Sequence, residues 1–149
     1  MPLTIITEPN PILHKKAKEI KKEELKSPEI KELILGMKEM VETAGGVGLA
    51  APQVAKSLRL IVIFLDNKKL ILINPEITKY SWRKDCAEEG CLSVPGNFGK
   101  VKRSKIIKVK ALDEEGKNIE FTANNFFARV IQHEVDHLDG ILFIDKINT

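Results

Sequence analysis

Apolar side chains recur at helical spacing in one early segment of the chain. A helix is expected there from Ser27 to Ala44: Ser27 can cap it, and Pro28 suits its first position. Gly45-Gly46 ends the pattern. The apolar positions predict one buried stripe, made of Ile30, Leu33, Ile34, Met37 and Val41.

A second helix is expected near the end of the chain. Asn124 or Asn125 can cap it, it runs to about Leu138, and Gly140 lies just past its end.

Two strand pairs are predicted between these helices. In the first, the apolar run 58–65 turns through 66–68 into residues 70–73, and Asn74-Pro75 stops the second strand. In the second, residues 105–112 turn at 113–116 and return through 118–123. Helices and strands do not alternate, so a mixed α+β domain is favoured over a doubly wound sheet.

Lysines alternate with apolar residues in the second strand pair. Lys108 and Lys110 lie between Ile107, Val109 and Ala111, which predicts one buried face and one solvated face. The formal net charge of +3 is only mildly basic. We therefore interpret the lysines as a wet sheet face rather than as a nucleic-acid patch, and expect no specific nucleic-acid partner.

Length and composition favour one cytoplasmic domain. The 149 residues fit a single domain, 1–149, with 43% hydrophobic residues. No apolar run approaches the ~20 residues of a membrane span, and we see no signal peptide. Cys86 and Cys91 are too few for a disulfide framework, and their spacing is not C-x-x-C.

The predicted last helix carries an H-E-x-x-H pattern. His133 and His137 are four residues apart, so both imidazoles can point from one helix face to one metal ion. Glu134, beside the first histidine, is then placed to act as a general base. Chance occurrence is the alternative, but His14 is the only other histidine in the chain. We expect His14 to be a surface or capping residue.

A catalytic site of this kind usually has three protein ligands, and the third is not downstream. No His, Glu or Cys follows His137, and Phe143 stands where a longer H-E-x-x-H-x-x-G-x-x-H pattern needs its last histidine. Cys91, beside Gly90 in a polar stretch, is a candidate. Spacing alone gives it only a modest advantage over Cys86, and a free cysteine is more often a small buried hydrophobe.

Small residues fill the segment after the first helix. In Gly45-Gly46-Val47-Gly48-Leu49-Ala50-Ala51-Pro52-Gln53, glycines can bring the backbone close to a ligand, and Gln53 can direct an amide N–H at it. A helix end followed by a loop is the plainer interpretation. The segment lacks the Lys-Ser/Thr ending of a phosphate loop.

Three segments together resemble the peptide deformylase family. They are residues 46–53 (GVGLAAPQ), residues 89–93 (EGCLS) and residues 132–137 (QHEVDH), in the family's order and approximate spacing. The resemblance runs to about Asp145. It implies an α+β fold with antiparallel sheets packed around the central motif helix. It also implies removal of the formyl group from N-formylmethionyl nascent peptides.

The resemblance also implies roles for individual residues. Cys91, His133 and His137 would bind one Fe²⁺, which Ni²⁺, Co²⁺ or Zn²⁺ can replace, and Glu134 would be the acid and base. Gln53 and the Leu92 N–H would stabilise the oxyanion, and Glu89 would support the Cys91 loop. Substrate contacts are expected from Gly46, Val47, Gly48 and Val130.

The sequence departs from many family members in two places. Residues 95–99 (PGNFG) lack an arginine found there in many members, near the substrate main chain. The chain stops at Thr149, before a common C-terminal helix, so contact with the ribosome has little support.

Two alternative functions are another H-E-x-x-H metallopeptidase and a non-catalytic, metal-stabilised binding module. The missing downstream ligand argues against the first, and the presence of Glu134 against the second.

Overall fold

The computed structural model describes residues 3–147. Its helices and strands are, in chain order, α1 Pro28–Thr43, β1 Gly48–Ala50, β2 Leu60–Leu65, β3 Lys68–Tyr80, β4 Lys84–Cys91, β5 Val94–Ser104, β6 Ile106–Leu112, β7 Asn118–Asn124 and α2 Asn125–Leu138. Short 3-10 helices span Pro11–His14, Lys22–Glu24, Ala51–Val54 and Phe143–Lys146. No helix in residues 3–147 is long and apolar enough to cross a membrane.

Five strands form one antiparallel sheet in the order β1-β2-β3-β6-β7, while β4 and β5 form a separate hairpin. The α+β prediction is confirmed.

Helix α1 matches its predicted bounds. Ser27 caps it by accepting a hydrogen bond from the Ile30 N–H at 3.3 Å. All five residues of the predicted stripe are buried and pack against Leu60 and Val62 of β2. The stripe therefore holds α1 on one face of the five-stranded sheet.

Helix α2 lies at the centre of the molecule. Its apolar residues, among them Ile131 and Leu138, pack against Ile61, Leu72 and other sheet residues. Its polar residues are buried as well: Arg129, Gln132, His133, Glu134 and His137. Asn124 occupies the capping position, as predicted, but its side chain makes no capping hydrogen bond.

One predicted strand end is wrong. Strand β3 does not stop at Asn74-Pro75 but continues to Tyr80. Asn74 adopts a φ of +52°, and the register with β6 shifts between Ile73 and Glu76, which accommodates the proline at an irregularity. The Asn74 side chain also bonds the Ile20 N–H and carbonyl, at 2.9 and 2.8 Å. The sequence signal marks a bulge rather than an end.

The remaining strand predictions are confirmed within a few residues. Asp66 and Asn67 have φ values of +51° and +64°, as a two-residue hairpin turn requires. In the β6–β7 hairpin, Lys108 and Lys110 are exposed and the three alternating apolar residues are buried.

The β4–β5 hairpin is absent from the sequence prediction. Its strands are rich in charged residues, proline and glycine, and only some positions are buried: Glu89 in β4, and Val94, Val101, Arg103 and Ser104 in β5. No apolar alternation marks it, yet it carries Cys91 and covers the polar side of α2.

Candidate metal and active site

Cys91, His133 and His137 form a cluster whose ligand atoms all lie within 4.8 Å of one another. Cys91 ends β4, and the two histidines occupy successive turns of α2. Cys91 Sγ is 3.2 Å from His137 Nε2. The other candidates lie elsewhere: Cys86 is exposed on β4, and the exposed His14 pairs with Glu8.

The donor set fits a divalent metal ion. One thiolate and two imidazoles are three ligands of a common catalytic type, which leaves a position open. His133 Nδ1 is taken by Glu89 at 2.9 Å, so Nε2 is the ring nitrogen available to a metal. Burial, followed by the charge of His133, lowers the pKa of His137, which keeps that imidazole neutral and able to ligate. The three residues therefore fit the divalent metal ion that the sequence implies.

Glu89 is a buried carboxylate with its hydrogen-bonding capacity filled. Oε1 faces His133 Nδ1 and accepts from Arg103 Nη2 at 2.9 Å, and Oε2 accepts from Arg103 Nε at 3.0 Å and Arg129 Nη1 at 2.6 Å. Burial alone would raise the pKa of Glu89, but hydrogen bonds from His133 and Arg103 lower it to about 2. Glu89 is thus ionised and fixes the orientation of His133.

The pKa of His133 is raised, whereas that of its partner Glu89 is lowered. Burial alone would lower the pKa of His133, but hydrogen bonds with Cys91 and Glu89 raise it to about 10. The same anionic neighbours that attract a proton attract a metal cation, so proton and metal compete for this position.

Glu134 is buried beside the ligands. Its Oε1 has no hydrogen-bond partner within residues 3–147. Burial is the main reason that the pKa of Glu134 is raised to about 7. An unpaired buried carboxyl group with a near-neutral pKa suits a group that takes and returns a proton.

Gly48 provides the space that Glu134 occupies. A Cβ at Gly48 would lie 2.6 Å from Glu134 Oε2 and 2.9 Å from its Cγ, closer than real contacts allow. Gly48, the first residue of β1, must therefore lack a side chain for the Glu134 carboxylate of α2 to fit.

Gln53 directs its amide group into the site. Its Oε1 accepts from the Ala50 N–H at 2.9 Å, which leaves Nε2 to donate to Ser93 Oγ at 3.1 Å and to Cys91 Sγ at 3.5 Å. Gln53 is almost fully buried in the short 3-10 helix Ala51–Val54. The donor is held in one orientation before any ligand arrives.

A cavity of about 500 Å³ opens beside the cluster. It is lined by ten of the predicted site residues: Gly46, Val47, Gly48, Gln53, Glu89, Cys91, Leu92, Val130, His133 and Glu134. Val130 is buried, whereas Val47 is exposed. Phe98, in the segment without the family's arginine, also lines the cavity and lies against Gly90.

Sequence reasoning missed three buried polar residues around the site. Arg103 bonds Glu89 and Asp136, Arg129 bonds Glu89, and Gln132 bonds the Ser104 N–H and carbonyl at 3.1 and 2.9 Å. Arg129 stands four residues before His133, and that spacing was a usable signal. Arg103 has no comparable pattern around it.

Fold and site together define a metal-dependent hydrolase: three side chains suited to bind one cation lie beside a buried carboxylate and a fixed amide donor. The chain belongs to the peptide deformylase family, since the model of the family described as polypeptide deformylase matches residues 2–149. It is accordingly an amidohydrolase that removes the formyl group from N-terminal formylmethionine. The resemblance seen in the three motifs is confirmed, and both alternative functions are set aside.

Relatives and solved structures agree with this assignment. The chain is 44% identical to the peptide deformylase of Desulforudis audaxviator over 97% of this chain and 93% of that protein. It is 50% identical to that of Halothermothrix orenii over 93% and 88%. The Thermotoga maritima peptide deformylase structure superposes with a TM-score of 0.94 at 41% identity, covering 100% of this chain and 99% of the other.

Proposed function

We propose that this chain deformylates nascent peptides in the cytoplasm, using one Fe²⁺ held by Cys91, His133 and His137. The observation that carries the proposal is the buried Glu134 carboxyl group, whose Oε1 has no hydrogen-bond partner in residues 3–147, beside a cluster of three possible ligands at the wall of a cavity. Thiolate and imidazole ligands suit iron as well as zinc, and Ni²⁺, Co²⁺ or Zn²⁺ can take the same place. When bound, the metal supplies Lewis acidity that makes a water nucleophilic near neutral pH.

Glu134 moves the proton in this proposal. It accepts the proton of the attacking water and delivers it to the departing amine as the C–N bond breaks, which releases formate. In the metal-free protein, burial raises the pKa of Glu134 to about 7, which suits a group that exchanges a proton near neutral pH. Gly48 has no side chain, and the space this leaves is filled by the Glu134 carboxylate beside the ligands.

Gln53 and the Leu92 N–H stabilise the formyl oxygen as it gains negative charge. The Gln53 amide is already oriented by Ala50, so little reorganisation is needed during the reaction. Leu92 lies in the turn between β4 and β5, directly after Cys91, and lines the cavity. Glu89 acts indirectly, by fixing His133.

The substrate is an N-formylmethionyl peptide bound in the cavity. The peptide deformylase of Acinetobacter baumannii, 36% identical with a TM-score of 0.94 over 99% of both chains, has been solved with Met-Ala-Ser bound. Gly46, Val47, Gly48 and Val130 all line the cavity. In this proposal an extended peptide lies along the backbone of Gly46 and Gly48, and its methionine side chain packs against Val47 and Val130. The nascent chain is the proposed partner, and no described feature supports a ribosome contact.

Formate release from formyl-Met-Ala-Ser by anaerobically purified protein tests this function. We expect turnover that depends on bound metal and stops when a chelator removes it. Protein with a full complement of metal that releases no formate would overturn the proposal. Acetyl-Met-Ala-Ser is the matched control substrate, since it differs at the group to be removed.

Replacing Gln53 by leucine should slow turnover while the metal content stays unchanged. Leucine is similar in size but lacks the amide donor, and loss of one oxyanion donor typically costs about 3–4 kcal/mol, or about 100- to 1,000-fold in kcat. Steady-state kinetics and metal analysis of the same preparation measure both. Unchanged kcat would remove Gln53 from the oxyanion site.

Activity of the iron form should be lost on exposure to oxygen or peroxide. Ferrous iron and the Cys91 thiolate both oxidise readily, and Cys91 is only partly buried. Substitution with nickel should give a stable enzyme. Timed assays in air and under anaerobic conditions compare the two forms. An iron enzyme that keeps full activity in air for days would contradict iron as the labile metal.

A further inference from the structure

The proposed metal ligands come from two parts of the structure whose strands do not pair with each other. Cys91 belongs to the β4–β5 hairpin, whereas His133 and His137 belong to α2, which packs on the five-stranded sheet. The position of the thiolate relative to the imidazoles therefore depends on contacts between the hairpin and α2. Several of these contacts are made by buried polar side chains.

Arg129 makes three such contacts with the hairpin. Its Nη1 donates to Glu89 Oε2 at 2.6 Å and to the Val101 carbonyl at 2.9 Å, and its Nη2 donates to the Asp85 carbonyl at 2.7 Å. Asp85 and Glu89 are in β4 and Val101 is in β5, so one guanidinium bonds both strands. The residue is only 6% exposed, and it lies one helical turn before His133.

Charge alone does not account for Arg129. Glu89 already has a cationic partner in Arg103, which bonds both of its oxygens. The contacts that only Arg129 supplies are those to the two backbone carbonyls. A planar guanidinium can reach three acceptors in different directions, whereas an ammonium group at the end of a lysine cannot reproduce that fixed geometry.

We infer that Arg129 is a positioning residue that holds the Cys91 hairpin at the correct distance from the histidines of α2. None of its hydrogen bonds within residues 3–147 is to a proposed ligand atom; they are to the backbone of β4 and β5 and to Glu89, through which it acts, although the residue also lines the cavity. This role rests on the proposed metal site.

Arg129→Lys tests this role because lysine keeps the positive charge but lacks the planar guanidinium that reaches three acceptors. We expect Co²⁺ affinity to fall about 10- to 100-fold, the usual effect of removing a partner that orients ligands. The thiolate-to-Co²⁺ absorption band should weaken or shift, since the Cys91 sulfur is the atom displaced. Titration of the metal-free protein with Co²⁺ gives both readouts, and far-UV circular dichroism checks the fold.

Arg59→Lys is the matched control. Arg59 is also largely buried and bonds the C-terminal end of α2, through the Leu138 carbonyl and Asp139, both at 2.9 Å. Within residues 3–147 it makes no hydrogen bond to the hairpin. We expect it to leave the cobalt band unchanged. A variant of Arg129 within two-fold of wild type in affinity, or an equal loss in both variants, would overturn the inference.

A second substitution covers the case in which Arg129→Lys does not fold. Arg129→Gln is neutral and shorter, and the same loss of affinity is expected from it. If neither variant folds, Arg129 is required for the fold and the positioning role is rejected. Wild-type protein that shows no thiolate-to-Co²⁺ band would instead reject Cys91 as a ligand, which separates the two failures.

Discussion

The Glu134→Gln protein is expected to bind its metal normally and to lose at least about 100-fold in kcat. Loss of a general acid and base typically costs about 100- to 10,000-fold. Glutamine fills the same space beside Gly48, where a Cβ would meet Glu134 at 2.6 Å, so the packing is preserved. The change should fall on kcat more than on KM, because Glu134 acts on the water and the leaving group.

Parallel measurements of metal content and rate decide the role of Glu134. Glu42→Gln, at an exposed acid that pairs with Lys69, is the matched control and should behave as wild type. Near wild-type turnover by the Glu134 variant would remove the proposed proton transfer. Loss of the metal with full retention of fold would make Glu134 a structural or ligating residue instead.

The Cys91→Ser protein should lose its metal on dialysis and, with it, all measurable turnover. Serine keeps the size of the side chain but replaces a thiolate, which binds strongly, with a hydroxyl group that stays protonated near neutral pH. Removing a direct ligand should weaken metal binding by more than the 10- to 100-fold that is typical of losing a residue that only orients a ligand. Elemental analysis after dialysis, together with formate release, measures the loss.

Cys86→Ser provides the comparison for this experiment. Cys86 is exposed five residues earlier on the same strand and lies outside the ligand cluster. Its replacement should leave both metal content and rate unchanged. Metal loss in the Cys86 variant but not in the Cys91 variant would show that Cys86, and not Cys91, is the thiolate ligand.

Much of the fold follows from periodicity. The apolar stripe of α1, the H-E-x-x-H helix α2 and two of the hairpins have regular spacing and clear turn or capping residues. The structure agrees within a few positions, except that β3 continues past the predicted stop at Asn74-Pro75 to Tyr80. The histidine pair was accessible for the same reason, since residues four apart on one helix meet on one face. Cys91 could not be identified as a ligand in this way, because spacing along the chain could not distinguish it from Cys86.

What escaped prediction lacks such a pattern. The β4–β5 hairpin is held on α2 by buried charges, such as Arg103 with Glu89 and Asp136, rather than by alternating apolar residues. Arg103 gives no periodic signal, and nothing in its surroundings predicts its burial, since arginine is mostly an exposed residue. At Asn74, a residue typical of strand ends supports a bulge because its side chain satisfies the backbone of Ile20.

The site is assembled from segments that are distant along the chain. Cys91 and His137 are 46 residues apart, and Gln53 contributes from another 38 residues before Cys91. Such long-range closures make folding slow relative to local helix formation. We therefore expect a refolding chain to regain helical structure before it regains a complete ligand set, so that catalytic activity counts only those molecules in which every segment has reached its final place.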